Sequence, residues 1–158
     1  MEKFILAVLV ENKFGVLARI AGLFSARGFN ISSLAVAETE DPTMSRITMV
    51  VEADEKILEQ IKKQLNKLID VVKVIDLTAK DCVERELVLL KVKIDPKTRD
   101  SMMRVLETLS AKVVDTGDHF VTIEEVGDMK RIKATMELLK PFNIVEIVRT
   151  GRIAIQTK

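Results

Sequence analysis

Glu11-Asn12-Lys13-Phe14-Gly15-Val16-Leu17, running on to Arg27-Gly28-Phe29-Asn30-Ile31, is the stretch whose reading decides how this chain folds. Before it stands Phe4-Ile5-Leu6-Ala7-Val8-Leu9-Val10, a short apolar run of β-forming residues that reads as a strand buried on both faces. After Gly15, the residues Val16, Leu17, Ile20, Ala21, Leu23 and Phe24 recur by threes and fours, the stripe of an amphipathic helix. Gly28 is expected to end that helix in the left-handed conformation, and Asn30 opens the next strand.

Working outward, Asn30 to Thr39 and Arg46 to Ala53 read as strands joined by the polar loop Glu40-Asp41-Pro42-Thr43. Asp54 caps a helix striped with Ile57, Leu58, Ile61, Leu65 and Leu68, and Val71 to Leu77 is a fourth strand. The order βαββαβ then recurs. Val88, Leu90, Val92 and Ile94 alternate along a strand, and Asp95-Pro96 starts a helix carrying Met102, Val105, Leu106 and Leu109. Val113 to Ile123 reads as a hairpin turning at Gly117-Asp118; Asp128 to Leu139 is helical and is ended by Pro141. Ile144 to Val148 is the last full strand, with a short extra one near Ile153 to Ile155. The fold class is therefore α+β, two tandem ferredoxin-like βαββαβ modules. The expected division is 1–79 as the first module, 80–86 as a charged connector and 87–158 as the second. A module of roughly 75 residues buries limited apolar surface, so pairing of sheets or edges is the natural remedy.

Composition narrows the function. Of 158 residues 47% are hydrophobic, which suits a soluble globular protein, and 25 basic against 24 acidic residues leave no field to hold a polyanion. Tyr and Trp are absent, and the strand Ser45 to Val51 carries no aromatic residue, which argues against single-stranded RNA as a partner. One cysteine, Cys82, makes no internal disulfide, and it reads as a partly buried inert thiol; a reducing cytoplasm fits. His119, the one histidine, sits at a hairpin without an Asp or Ser pattern and reads as a surface turn residue, and no metal site is expected. Met102, Met103, Met129 and Met136 fall on helical stripes and read as core filler. Met1-Glu2-Lys3 leads straight into a strand, so no signal peptide is expected. Walker loop, dinucleotide fingerprint and nucleophile elbow are all missing, and no catalytic residue is assigned.

The Gly15 turn has the makings of a site for a small zwitterion. A helix start leaves backbone N–H groups unpaired and its dipole favours an anion, while a glycine lets a ligand approach closely. Val16 and Leu17 supply such N–H groups for a carboxylate, Asn12 and Asn30 offer amide oxygens for an ammonium and NH₂ groups for the carboxylate, and Leu17 and Ile31 suit a branched aliphatic side chain. The same residues also serve a purely conformational turn, and spacing alone leaves both readings open. An acylphosphatase-like hydrolase is the competing enzymatic reading, because Arg19 follows the glycine turn; Glu11 in that loop would repel phosphate.

Glu11-Asn12-x-x-Gly15-Val16-Leu17 followed by Gly28-Phe29-Asn30-Ile31 resembles the ligand-site signature of ACT domains, βαββαβ modules that bind amino acids and regulate metabolic enzymes. Asp41-Pro42-Thr43-Met44-Ser45-Arg46-Ile47-Thr48, Gln64 to Val71 and Val83-Glu84-Arg85-Glu86-Leu87 extend the resemblance to the small regulatory subunits of acetolactate synthase, from end to end of the chain and tightest over residues 4–95. The resemblance implies a non-catalytic subunit of branched-chain amino acid biosynthesis that activates a catalytic large subunit and confers feedback inhibition by valine or a related amino acid. It implies no cofactor in this chain, with thiamine diphosphate, magnesium and FAD on the partner. It also implies a homodimer through the N-terminal modules, the effector meeting Asn12, Gly15, Val16 and Leu17 of one protomer and Asn30 and Ile31 of the other. The second module has Ile94-Asp95-Pro96-Lys97 where the pattern has Asn-x-x-Gly, so no second effector site is expected there.

Overall fold

The computed structural model describes residues 2–78 and 81–157. They form two compact units, Met1–Val83 with Arg152–Lys158, and Glu84–Gly151.

In the first unit, β1 (Glu2–Glu11), α1 (Val16–Ser25), β2 (Ile31–Glu38), β3 (Met44–Ala53), α2 (Glu55–Leu65) and β4 (Val71–Asp76) follow in the expected order. The sheet runs β2-β3-β1-β4 with every pairing antiparallel, the arrangement of a ferredoxin-like module. Alternation along β1 sends Phe4, Leu6, Val8 and Val10 into a core with Val16, Ile20, Leu23 and Phe24 of α1 and Leu58, Ile61 and Leu65 of α2. Ile5 and Ala7 point the other way, into a smaller core with Val50, Leu77 and Ala154. Each helix has an identifiable stop or start: Gly28 at φ 67° turns the chain beyond α1, and the Asp54 carboxylate accepts the Ile57 N–H at 2.8 Å to cap α2.

The second face of β1 is covered by the C-terminus. Gly151 at φ 80° turns the chain into β9 (Ile153–Gln156), which belongs to the first unit. Arg46 donates to the Ala154 carbonyl at 3.0 Å, and the Thr157 N–H reaches the Asp81 carbonyl at 3.0 Å beside the opening of β5 (Cys82–Lys93). Residues 152–158 thus group with the first unit, where the sequence division had placed them at the end of the second module. Local pattern could not reveal this, because the cavity that Ala154 fills is made by residues over seventy positions away.

The second unit repeats the plan with the rest of β5, α3 (Arg99–Leu109), β6 (Lys112–Thr116), β7 (Phe120–Gly127), α4 (Met129–Leu139) and β8 (Ile144–Arg149), in sheet order β6-β7-β5-β8. Val88, Leu90, Val92, Val121 and Ile123 pack on Met102, Leu106, Ile132 and Leu139. Three expectations change in detail. Residues 82–86 are strand, not connector, because the alternation of β5 extends back to Cys82, which is half-buried. Asp95-Pro96 makes a turn, with Asp95 accepting the Lys97 N–H at 2.9 Å, and α3 begins only at Arg99. Met102 is buried and Met136 packs on the core, but Met103 faces solvent.

Leu6 is fully buried in the first core, so its truncation leaves a cavity. Leu6→Ala should lower unfolding stability by about 2–5 kcal/mol in a denaturant titration, through lost transfer energy and the cavity left behind.

Candidate functional site

The β1–α1 turn is held from three directions. The Glu11 N–H donates to the Asp70 carbonyl at 2.9 Å, the Asn12 N–H to the Thr43 carbonyl at 2.7 Å, and the Lys13 N–H to Glu11 at 3.0 Å. Gly15 then takes φ 81°, ψ −7° at the N-cap of α1, a left-handed conformation that side-chain-bearing residues adopt at a cost. A Cβ there would meet nothing within 4 Å, so the glycine answers a backbone need and leaves open space above the helix start.

That helix start is unfilled. No side chain caps it and no acidic residue lies in its first turn, whereas Asp54 and Asp128 cap α2 and α4. The Val16 N–H reaches Lys13 only at 3.4 Å, and Arg19 is the next whose N–H is engaged, to Gly15 at 2.9 Å. Between them the N–H groups of Leu17 and Ala18 have no backbone acceptor among the described residues. Val16 is buried, so its side chain serves the core; Leu17 is exposed beside the opening.

Asn12 is locked by a loop that the sequence reading did not connect to it. Its amide NH₂ donates to Glu38 Oε1 at 3.1 Å and to the Pro42 carbonyl at 2.9 Å. Both hydrogens are used within the chain, which leaves Oδ1 of Asn12 to accept from a further donor. The loop is itself braced: the Asp41 carboxylate accepts from the Thr43 hydroxyl at 2.7 Å and its N–H at 2.9 Å. Those bonds, the hydroxyl foremost, hold the Asp41 carboxyl below its usual pKa. Nearby, Lys13 and Glu11 pair at 2.7 Å, which raises the Lys13 pKa, its hydrogen bond to Glu11 being the main cause. Arg19, the residue an acylphosphatase-like site would need free for phosphate, is paired with the buried Asp70 at 2.8 Å.

Asn30 and Ile31 lie elsewhere. Glu11 pairs with Met44 at one end of the sheet, and Glu38 pairs with Ser45 at that same end. Ile31 pairs with Val51, which pairs with Phe4 at the opposite end. The seven steps along β1 from Phe4 to Glu11 span about 24 Å at about 3.4 Å per residue, so one copy of the chain cannot close the six candidates around one small ligand. Asn12, Gly15, Val16 and Leu17 form one group; Asn30, exposed, and Ile31, packed on the edge of the core, form another. Between them runs β2, an edge strand whose Leu34 and Val36, on the helix side, stay 38% and 43% exposed.

Residues 6–73 match the family described as the AHAS small subunit-like ACT domain, and residues 85–158 match the family described as small subunit of acetolactate synthase. The chain is 47% identical over 150 residues to the acetolactate synthase small subunit of Mycobacterium leprae, covering 95% of this chain and 89% of that protein. It is 46% identical over 153 residues to a probable acetolactate synthase small subunit of Archaeoglobus fulgidus, covering 97% and 96%. The crystal structure of the acetolactate synthase small subunit from Thermotoga maritima superposes with a TM-score of 0.90 at 37% identity, covering 100% of this chain and 99% of that one.

Two outcomes follow from this geometry. Gly15→Ala should destabilise by roughly 1–2 kcal/mol in thermal or denaturant unfolding, with Gly15→Asn less costly, because the strain is in φ and not in contact. As for pH, the Asp41 contribution is fully present above its ordinary 3.8 and is lost as pH falls through the lower folded value. Amide exchange at Asn12 and Thr43 should therefore speed up only below that point, and Asp41→Asn, which has no carboxyl to titrate, should remove the acid-dependent step.

Proposed function

Because the chain belongs to the family of acetolactate synthase small subunits, we propose that it regulates a catalytic large subunit by holding a branched-chain amino acid, valine foremost, between two copies of its first unit. The observation that carries the reading is the separation of the two candidate groups to opposite ends of one antiparallel sheet with an edge strand between them.

A two-fold axis that lays β2 antiparallel to β2 of a second copy joins the two sheets edge to edge and covers Leu34 and Val36. In that arrangement the strand start of one copy, Asn30-Ile31, comes beside the strand end of the other, where Glu38 holds Asn12. Each dimer then carries two composite sites. The amino acid carboxylate meets the free N–H groups at the start of α1, aided by the helix dipole. Its ammonium meets Asn12 Oδ1 and the amide oxygen of Asn30 from the second copy, while Leu17 and Ile31 bound the aliphatic slot.

Regulation follows from the composite site. A ligand that bridges two copies favours the arrangement in which the copies are joined, and the catalytic partner responds to that arrangement. The shift equals the difference in ligand affinity between the two states, typically about 1–3 kcal/mol. The chain contributes no catalytic group in this reading; thiamine diphosphate, magnesium and FAD belong to the large subunit. Arg19 is spent on Asp70, which leaves the acylphosphatase alternative without its cationic cradle.

Gly15→Asp tests the site directly. Asp tolerates the left-handed conformation better than most residues, and the open space at Gly15 admits it, so the fold survives while a carboxylate occupies the anion position. The variant should activate the catalytic subunit as the unaltered chain does, yet show no valine binding by calorimetry and no valine inhibition. Unchanged valine binding would remove Gly15 from the site.

A further inference from the structure

Phe14 does no packing in the turn that carries it. Of the six phenylalanines, Phe4 and Phe24 are buried, Phe29, Phe120 and Phe142 are half-buried, and Phe14 alone is fully exposed. A second large apolar side chain, Ile69, is 94% exposed in the turn between α2 and β4. A lone exposed hydrophobic residue is ordinary, but these two share one end of the first unit. The Glu11 N–H donates to the Asp70 carbonyl, and Arg19, in the first turn of α1, pairs with the Asp70 carboxylate at 2.8 Å. Phe14 lies in the chain between those two anchors, and Ile69 adjoins their common partner. Val72 adds to them. The pairing of β1 with β4 shifts register between Leu9, opposite Lys73, and Val10, opposite Val71; Val72 is the residue left over, and it is exposed. A bulge re-aims a side chain, and this one leaves a valine of an edge strand in solvent.

A second copy paired through β2 does not cover this patch. β2 and β4 are the two edges of the sheet, with β3 and β1 between them, a separation of three strand spacings of about 4.8 Å each. The apolar side chains on the β4 side therefore stay exposed after that dimer has formed. Charges beside them define the surface that fits. Glu11 pairs with Lys13, Asp70 with Arg19 and Asp76 with Lys62, so the acids nearby are engaged. Lys67 and Lys73, which bracket Ile69 and Val72 in the chain, are exposed and have no carboxylate partner among the described residues. Apolar anchors with a charged rim are the anatomy of a protein interface, and this rim is cationic.

We propose that Phe14, Ile69 and Val72 are the anchors by which the first unit docks on the catalytic large subunit, seated in an apolar socket with acidic side chains at its rim. The inference rests on the reading that this chain acts on that subunit, and it names the surface that does so. It also sets docking beside the effector site. Phe14 stands between Asn12 and Gly15 in one turn, so a ligand held there bears on the same backbone that presents Phe14 to the partner.

The test titrates the full chain into purified large subunit and follows activity, with complex formation read by sedimentation. Ile69→Ser combined with Val72→Ser alters two exposed positions outside the effector turn, so the unfolding midpoint should hardly move. Docking through this patch predicts at least about a tenfold rise in the small-subunit concentration needed for half-activation, with the same activity at saturation. Valine binding to the isolated double variant, by calorimetry, should match that of the unaltered chain. Phe14→Ser should raise the half-activation concentration in the same direction, and Lys67→Glu with Lys73→Glu should slow association. An unchanged half-activation concentration in the Ile69, Val72 double variant overturns the proposal. An altered oligomeric state of that variant with activation intact overturns it equally, because the patch would then lie between copies of this chain. An unchanged association rate in the lysine variant contradicts the acidic rim. Failure of the unaltered chain to activate the large subunit is a different result, and it strikes the functional reading on which the inference rests.

Discussion

The antiparallel order β2-β3-β1-β4 is the constraint on which the rest depends. It sets β1 in the middle, where Leu6 and Val8 feed one core and Ile5 and Ala7 another, and it sends β2 to an edge with its start at the far end from the Gly15 turn. Both consequences shape function. A central strand buried on two faces requires a cover beneath the sheet, and the C-terminal β9 supplies it. An edge strand with exposed Leu34 and Val36 is open to a partner, and in the proposed dimer a second copy takes that place and completes the effector site.

Much of this was legible in the residues because it is local. The period of Val16, Ile20, Leu23 and Phe24, the positive φ that Gly15 and Gly28 permit, and the Asp54 cap all act within a few positions, and each appears where the pattern put it. What escaped is long-range. That Asn12 spends its NH₂ on Glu38 and Pro42 depends on the β2–β3 loop folding back across the sheet, and no spacing near Asn12 signals it. Likewise Ala154 looks like any small residue of a terminal strand until Ile5, Val50 and Leu77 surround it. The start of α3 was misplaced for a different reason: Asp95-Pro96 is equally good at opening a turn, and the Asp95 to Lys97 bond takes that option.

The duplicated scaffold has diverged at the helix start. In the first unit that position is vacant of side-chain acceptors, with a left-handed glycine leading into it. At the corresponding place in the second unit, Asp95 already accepts a backbone N–H and Asp100 adds negative charge to the first turn of α3. The same fold thus leaves the helix start without a carboxylate once and places its own carboxylates there the second time. Strong internal pairs, Glu86 with Arg149 and Glu125 with Arg131 and Thr135, instead tie the strands and helix of the second unit together.

If effector binding and dimerisation are one event, the two halves of the site must come from different copies. Mixed dimers of Asn12→Ala and Asn30→Ala chains measure this most directly. In such a dimer one site carries both changes and the other carries neither, so calorimetry should recover one valine per mixed dimer although each variant alone binds none. Mixed dimers that bind no valine would contradict the account, because they would place Asn12 and Asn30 in the same site of a single chain.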